Sequence, residues 1–315
     1  MRGCIPAAVV VCVLLLLACG CSSPRGSATV PVTADRTDHP VTSEIPAGRG
    51  HYLFTDTLGN ADRPITVYTY RPAAWNTSGP VLIVMPGAGR DGSGPREIWI
   101  PYAEKYGSLV VVPEFSLRYY PDDMWYISGH TFDPKGWQPK KNWTYMAIEH
   151  LFDDIRQKSG AARNTYLLDG HSAGAQFVHR LVLVRPEARY SRAVAANAGM
   201  YLMPNLSVPY GYGLKDGPVP PAELPGVLSR KLIILSGGAD TNPDDGGLPK
   251  FPEAAAQGPN RLERAKLFYA SARALAAGLD VPLTWEYHVV PGVGHDEAGM
   301  AGPSAEYLFT GTQAG

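Results

Sequence analysis

The chain has 315 residues, which is long enough for a single large domain with one hydrophobic core. Hydrophobic residues make up 45% of it and charged residues 18%, a composition that excludes a disordered or fibrous protein. The 28 Lys and Arg residues balance 29 Asp and Glu residues, for a formal net charge of −1, and no basic run is present. We therefore expect no nucleic-acid partner.

The first 21 residues have the organisation of an export signal. Arg2 precedes an almost unbroken apolar run from residue 5 to residue 18, which is too short for a comfortable bilayer span and suits a secretory signal. All cysteines of the chain lie in this segment, so the rest of the chain has no disulfide framework: Cys4, Cys12, Cys19 and Cys21.

The end of this segment resembles a bacterial lipoprotein signal, in which a small residue precedes an acylated cysteine. Leu16-Leu17-Ala18-Cys19 fits that pattern, so Cys19 is the predicted lipidation site, and Ala18-Cys19-Gly20-Cys21 is the alternative. An ordinary cleaved signal peptide is the other interpretation. Both interpretations predict an exported protein, either a cell-envelope lipoprotein or a secreted one.

Residues 22–50 are rich in Ser, Thr, Pro, Ala and Gly and have no apolar periodicity. They predict a disordered tether, which as a flexible coil would reach about 30 Å from the membrane. The folded domain is then expected over residues 51–315. We expect it to be a monomer whose only contact with the membrane is the N-terminal lipid anchor.

After residue 51, short β-branched runs alternate with helical segments, which predicts an α/β fold with a mostly parallel sheet and helices on both faces. Predicted strands cover residues 65–71, 81–85, 109–112, 166–168, 193–196, 232–235 and 283–290. Predicted helices cover residues 98–106, 143–158, 173–184 and 261–277.

Three stretches fit neither pattern: residues 114–142, 200–228 and 241–260. Long loops in a compact domain are usually functional or disordered. The first is rich in aromatic residues, so we predict that it forms a wall over a binding site, together with the start of the second. The candidate substrate contacts are Tyr119, Trp125, Tyr126 and Tyr201.

The sequence Gly170-His171-Ser172-Ala173-Gly174 lies on a sharp turn between a predicted strand and a predicted helix. A serine on such a turn needs small flanking residues, and its hydroxyl stands at a helix N-terminus, where negative charge is favoured. Ser172 is thus a candidate nucleophile. His171 is expected to point away from the reacting centre and to pack in the core.

A serine nucleophile needs a histidine base, and the base needs an orienting carboxylate. Asp240 directly follows the predicted strand at 232–235, and His295 lies beyond the last predicted strand. This chain order, serine, then aspartate, then histidine, is the one expected on such a sheet. The rival base is His288, within the last strand. The rival acids are Asp244 and Asp245, which we expect to face water.

Acyl transfer also needs two backbone N–H donors for the oxyanion. Ala173 supplies one, and the glycine-rich loop after Met85 supplies the other, with Ala88 the first choice and Gly89 the second. This loop lacks the Lys and Ser or Thr of a phosphate-binding loop. The chain also lacks a calcium-loop or zinc pattern, so we expect no metal and no cofactor.

With these segments in this order, residues 51–315 resemble an α/β-hydrolase, and more narrowly the exported esterases related to polyhydroxybutyrate depolymerases and feruloyl esterases. The resemblance rests on residues 81–92 and on the segments around Ser172, Asp240 and His295. It implies that these three residues are nucleophile, acid and base. Many members have His-Gly where this chain has Pro86-Gly87, so that histidine's contribution is absent here.

The predicted function is a serine esterase that cleaves polymeric, aromatic or short-chain esters through an acyl-enzyme. A serine peptidase with the same three residues is one alternative. A non-catalytic surface-binding lipoprotein on the same scaffold is the other.

Overall fold

The structure is a computed structural model that describes residues 39–40 and 44–311. The predicted signal segment, Cys19 and most of the predicted tether lie outside the described residues. Within the described part of the chain, no helix combines the length and hydrophobicity that a membrane span requires.

A nine-stranded sheet forms the centre of the domain, in the spatial order β1-β2-β3-β5-β4-β8-β9-β10-β11. All pairings are parallel except the two made by β3. A separate hairpin is formed by β6 and β7. The strands are β1 (His39–Pro40), β2 (Gly48–Phe54), β3 (Ile65–Arg71), β4 (Val81–Met85), β5 (Leu109–Glu114), β6 (Phe132–Asp133), β7 (Gly136–Trp137), β8 (Tyr166–His171), β9 (Tyr190–Ala196), β10 (Leu232–Gly237) and β11 (Glu286–Val290).

Seven α-helices accompany the sheet among the described residues, with two short 3₁₀ turns at Lys140–Asn142 and Pro221–Glu223. The helices are α1 (Ser93–Tyr106), α2 (Thr144–Ser159), α3 (Ala173–Val184), α4 (Leu224–Leu228), α5 (Pro252–Ala255), α6 (Arg261–Gly278) and α7 (Glu297–Thr310).

Helices cover both faces of the sheet, which produces two hydrophobic cores. One core joins the sheet to α1 and α7 through residues such as Trp99 and Leu308. The other joins it to α2, α3 and α6 through residues such as Ile148, Phe177 and Phe268. The central strands β4 and β8 are buried at every position because both of their faces are covered.

The predicted α/β fold is confirmed, and the bounds of β3, β4 and α3 are as predicted. Helix α2, predicted over residues 143–158, covers Thr144–Ser159 and ends at Gly160, whose left-handed backbone conformation carries no steric cost for glycine. The prediction for α1 was too short, since the helix begins at Ser93 and includes Pro95 in its first turn, where proline is tolerated.

The folded domain begins earlier than predicted. Ile45 is fully buried and β2 begins at Gly48, although both lie in the segment assigned to the tether. Helix α7 was not predicted because two glycines and Pro303 break its helical pattern. Packing of Met300, Tyr307 and Leu308 against the sheet stabilises it instead.

Candidate active site

Ser172 lies on the tight turn between β8 and α3. Its backbone has φ 57° and ψ −115°, a conformation that L-residues rarely adopt. Every residue from Tyr166 to Val184 is buried except Ser172, which is partly exposed. The turn therefore presents this one hydroxyl at the surface of an otherwise buried strand and helix.

Close backbone contacts explain the two glycines of the motif. A Cβ atom on Gly174 would lie 2.0 Å from the carbonyl oxygen of Met85, and one on Gly170 would lie 2.4 Å from the carbonyl carbon of Gly174. Neither position can hold a side chain without moving the backbone. The motif is thus a steric requirement of the turn.

The structure brings Ser172, His295 and Asp240 together. The distance from His295 Nε2 to Ser172 Oγ is 3.0 Å, and the distance from His295 Nδ1 to Asp240 Oδ2 is 2.9 Å. The Asp240 side chain is 4% exposed and that of His295 is 24% exposed. Proton transfer from the serine to the imidazole, with the carboxylate behind it, is geometrically possible.

Hydrogen bonds from the loop after β10 to the end of β11 and to the loop that follows it hold Asp240 and His295 next to each other. Gly238 N–H donates to Val290 O at 2.8 Å, and Ala239 N–H donates to Val293 O at 2.9 Å. Both loops leave the same edge of the sheet because β10 and β11 are parallel.

Asn197, which the sequence analysis missed, links these loops to β9. Its Oδ1 accepts a 2.7 Å hydrogen bond from Gly237 N–H, and its Nδ2 donates a 3.0 Å hydrogen bond to Gly294 O. It has φ 53°, a conformation that asparagine tolerates better than most residues. An asparagine directly after a buried strand was the only signal in the sequence.

The rival residues lie elsewhere or act differently. His288 is bonded to Glu286 at 3.0 Å and stacks on Tyr307, so it is not the partner of Ser172. Asp244 is 88% exposed, as expected. Asp245 faces water only in part: its side chain is 32% exposed, and its carboxylate binds the buried Arg261 at 2.8 Å.

The prediction that His171 points away from the reacting centre is wrong. His171 is buried, and its ring centroid lies 4.7 Å from that of His295. Burial, with a smaller contribution from the neighbouring His295, lowers the pKa of His171 to about 3. His171 therefore packs as a neutral ring against the candidate base.

Two backbone segments next to Ser172 can supply oxyanion donors. Ala173 is the first residue of α3, where a backbone N–H has no acceptor within the helix. A turn closed by Arg90 N–H and Gly87 O, 2.9 Å apart, has Ala88 and Gly89 exposed at its tip. Register pairing of Met85 with Gly170 brings this turn beside the serine turn.

Tyr126 is buried next to the candidate oxyanion loop and does not line a substrate wall. Its hydroxyl donates a 2.6 Å hydrogen bond to Pro86 O. Arg90 also joins this loop to the aromatic segment, through a hydrogen bond to Tyr120 O and a 3.5 Å ion pair with Asp123. The prediction for Tyr126 is corrected, since the ring is 0% exposed.

The other predicted substrate contacts differ in exposure. Tyr201 is 0% exposed and stacks on Phe268 with ring centroids 4.4 Å apart, so it is a core residue and cannot contact substrate as predicted. Tyr119 and Trp125 are half-buried. Trp125 packs against Arg63, whose guanidinium carbon lies 3.6 Å from the ring centroid.

Phe132, Trp137 and Tyr210 form an aromatic cluster in the two segments 114–142 and 200–228, with Trp137 exposed and the other two half-buried. Its ring centroids are 5.1 to 5.9 Å apart, and Trp137 is 52% exposed. The cluster lines a shallow hollow of about 210 Å³. Arg180 of α3 connects to it by donating to Gly211 O at 3.1 Å.

One buried carboxyl group, Asp169, and one partly buried carboxyl group, Glu297, lie near the site without belonging to it. Burial raises the pKa of Asp169, in β8, to about 8, and it raises the pKa of Glu297, in α7, to about 7. Glu297 adds to the shift of Asp169, and Asp91 adds to that of Glu297.

A hollow of about 680 Å³ lies at the opposite end of the strands, beside Arg163, Arg192 and Lys231. It is remote from Ser172 because it borders the first residues of β4 and β10, whereas Ser172 and Asp240 follow the last residues of their strands. Among the described residues, no group of three His, Cys, Asp or Glu side chains could hold a metal ion.

Comparison with known structures decides the family. The chain is 40% identical to poly(aspartic acid) hydrolase-1 from Sphingomonas sp. KT-1, covering 84% of this chain and 99% of that one with a TM-score of 0.81. It is 35% identical to LpqC, a poly(3-hydroxybutyrate) depolymerase from Bordetella parapertussis, covering 86% and 93% of the two chains with a TM-score of 0.79. This chain belongs to the α/β-hydrolase esterase family.

The α/β-hydrolase fold extends to more distant proteins. An S-formylglutathione hydrolase from Agrobacterium tumefaciens is 16% identical and has a TM-score of 0.53 over 86% of this chain and 96% of that one, which shows the shared fold alone. No family model and no curated protein matches the sequence. The identities with the first two structures make this α/β-hydrolase a serine-esterase-type enzyme that acts on an ester or a polymer.

Proposed function

We propose that this enzyme hydrolyses carboxylic esters through Ser172, His295 and Asp240 and an acyl-enzyme intermediate. The observation that carries the proposal is the continuous chain of hydrogen bonds from Ser172 Oγ through the imidazole to the buried carboxylate, at 3.0 and 2.9 Å. Such a chain is what a weak hydroxyl nucleophile needs in order to react at neutral pH.

In the proposed reaction, Ser172 Oγ attacks the ester carbonyl while His295 Nε2 takes its proton. Asp240 holds the ring in the tautomer that leaves Nε2 free and stabilises the imidazolium. The amides of Ala173 and of Ala88 or Gly89 bind the oxyanion. His295 then protonates the leaving alcohol, and water repeats the attack on the acyl-enzyme to release the acid and restore Ser172.

The first test is covalent labelling. A fluorophosphonate probe followed by peptide mapping is expected to label Ser172 in the wild type and no residue in Ser172→Ala. Ester turnover is expected to fall by about 10⁴-fold or more in Ser172→Ala and His295→Ala. Labelling at another residue, or turnover that survives Ser172→Ala, would exclude the mechanism.

A polymeric substrate is supported by the cluster of Phe132, Trp137 and Tyr210, whose mutually tilted rings line a shallow apolar hollow that part of a polyester chain can occupy. Trp137→Ala is expected to lower depolymerisation several-fold and to leave turnover of a soluble aryl ester unchanged. Leu58→Ala, which removes another exposed hydrophobic side chain that is 66% exposed, is the matched control.

Cleavage of a polyamide is the second candidate, because the poly(aspartic acid) hydrolase is 40% identical over nearly its whole length. Ester and amide hydrolysis share the acyl-enzyme and differ in the leaving group that His295 must protonate. Parallel assays on poly(3-hydroxybutyrate), poly(aspartic acid) and a chain-length series of aryl esters separate the two.

We further propose that the mature protein is anchored to a membrane through lipidated Cys19. Labelling with a radioactive fatty acid in an expressing bacterium is expected to mark the wild type and to fail with Cys19→Ala. Labelling that persists in Cys19→Ala and is lost in Cys21→Ala would assign the anchor to Cys21, and a soluble wild type without label would favour secretion.

A further inference from the structure

A buried arginine bridges two carboxylates directly behind the candidate triad. Arg261 Nη1 lies 3.3 Å from Asp240 Oδ1, and Arg261 Nη2 lies 2.8 Å from Asp245 Oδ1. The arginine side chain is 1% exposed, the Asp240 side chain 4% and the Asp245 side chain 32%. The two oxygens of Asp240 thus have different partners, His295 on one and Arg261 on the other.

The arginine is held in place by the helix that it begins. Arg261 is the first residue of α6, and the side chain of Asn260 caps the helix by accepting from Glu263 N–H at 3.0 Å. The next residue, Leu262, donates its backbone N–H to Asp240 O at 3.4 Å. The start of α6 is therefore attached to Asp240 through both main chain and side chain.

The arrangement of Asp240 and Arg261 fixes the direction of the carboxylate. An acid that orients a histidine must keep one carboxylate oxygen in line with Nδ1–H. A second hydrogen bond to the other oxygen prevents rotation of the carboxylate about the Cβ–Cγ bond. A guanidinium is suited to this because its donors lie in a rigid plane.

The positive charge of Arg261 disfavours the imidazolium form of His295, and the negative charge of Asp245 offsets this effect. A cation beside Asp240 opposes formation of the imidazolium that the reaction requires. Counting Asp240, Arg261, Asp245 and His295, the charge is −1 with a neutral ring and zero with the imidazolium. Asp245 thus restores the negative charge that Arg261 cancels.

The Asp245 carboxylate is held in position by a second hydrogen-bond donor besides Arg261. Its Oδ1 also accepts a 2.8 Å hydrogen bond from Gly247 N–H. The hydrogen bond from Arg261 lowers the pKa of Asp245, and the charge of His295 contributes to the same direction. The Asp245 carboxylate is therefore ionised at neutral pH and interacts electrostatically with the candidate base His295.

We propose that Arg261 and Asp245 are a pair of positioning residues for the triad, in which Arg261 orients Asp240 and Asp245 offsets the charge of Arg261. This proposal rests on the proposed function. Neither residue is assigned contact with substrate: Arg261 acts through Asp240, and Asp245 acts through Arg261 and through its charge near His295.

The pair predicts opposite shifts in the pH dependence of ester hydrolysis. In Asp245→Asn, the imidazolium loses a stabilising charge, so the acidic limb of the kcat/KM profile is expected to move to lower pH, on the order of half a unit. In Arg261→Met, an opposing cation is lost, so the limb is expected to move to higher pH. In both variants kcat falls, about threefold for Asp245→Asn and about thirtyfold for Arg261→Met, with KM nearly unchanged.

Two matched controls separate positioning from folding. Asp244→Asn removes a neighbouring carboxylate that binds only the exposed Lys250, at 3.4 Å, among the described contacts. Arg264→Gln removes another buried arginine of α6, which donates to Gly199 O at 2.6 Å and to Gly258 O at 2.9 Å. Neither control is expected to move the acidic limb, although Arg264→Gln lowers the melting temperature.

Arg261→Lys is expected to recover part of kcat and to return the acidic limb toward its wild-type position, since it restores the charge without the planar geometry. If Arg261→Met does not fold, Asp245→Asn carries the test alone, because its side chain is partly exposed. If the acidic limb of the kcat/KM profile stays in place, or moves in the same direction in Asp245→Asn and Arg261→Met, the proposal that these residues act as a pair is overturned. A wild type that the fluorophosphonate does not label at Ser172 overturns the proposed function and the pair together.

Discussion

The hydroxyl of Tyr126 donates a 2.6 Å hydrogen bond to the carbonyl oxygen of Pro86. This bond joins the aromatic segment after β5 to the first residue of the candidate oxyanion loop. Because Tyr126 is fully buried and bonded to the residue before the Gly87–Arg90 turn, we expect the position of this turn to depend on Tyr126.

Tyr126→Phe is expected to lower both stability and activity. The substitution leaves Pro86 O buried without its donor, which costs about 1–3 kcal/mol in the free energy of unfolding. We expect kcat for an aryl ester to fall about tenfold, because the amides of the loop are no longer held against the oxyanion.

Urea denaturation and steady-state kinetics measure the two effects. Tyr145→Phe is the matched control, since the Tyr145 hydroxyl also donates in the core, to Ile127 O at 2.7 Å, but does not touch the loop. An equal fall of kcat in both variants would contradict the assignment.

Gly174→Ala is expected to abolish folding or to destabilise the protein by more than about 3 kcal/mol. The added methyl would lie 2.0 Å from Met85 O, a backbone atom at the end of the central strand β4 that cannot move aside as a flexible side chain could. Gly226→Ala, in helix α4, meets nothing within 4 Å and is expected to be neutral or slightly stabilising. Soluble yield and thermal unfolding distinguish the two variants.

Asn197→Ala is expected to lower kcat about tenfold without a large change in KM. It removes the hydrogen bonds to Gly237 and Gly294, which hold the loops of Asp240 and His295, and it places alanine at φ 53°. Asn197→Gly relieves the backbone strain while still lacking both bonds. Equal activity of Asn197→Gly and the wild type would mean that the backbone conformation, and not the side chain, matters.

The buried Asp169 is expected to make stability fall as pH rises. Its pKa is about 8 in the folded protein and about 3.9 in the unfolded chain, so the folded state binds the proton more tightly. The resulting stabilisation is complete below about pH 4 and is lost as pH rises toward 8. Glu297, with a folded pKa of about 7, acts in the same direction over a narrower range.

Asp169→Asn removes this titration while keeping the size of the side chain. The difference in melting temperature between pH 5 and pH 9 is expected to shrink by roughly 5 °C relative to the wild type. Glu253→Gln, on the exposed side of α5, is the control and should leave the difference as it is. A wild-type melting temperature that is constant between these pH values would contradict a neutral Asp169.

Much of the fold could be predicted from the sequence because the signals are local. A strand buried on both faces needs an unbroken apolar run, which β4 has, and a chain reversal at a helix end needs a glycine, which α2 has at Gly160. The turn at Ser172 is equally local, since its two glycines are required by the close backbone packing. Asp240 and His295 could be proposed because parallel strands bring their following loops to one edge.

Only the tertiary structure decided which side chains meet across that edge. Arg261 and Asp245 lie 21 and 5 residues from Asp240, and no spacing rule joins them. Sequence likewise could not separate Tyr126 and Tyr201, which are buried, from Trp137, which is exposed, because an aromatic residue suits a core and a binding surface equally. Helix α7 depends on the sheet beneath it, since its own glycines and proline disfavour a helix. Local chemistry thus specified the elements and their candidate residues, whereas burial and pairing between distant segments, which depend on the packing of the whole domain, determined their roles.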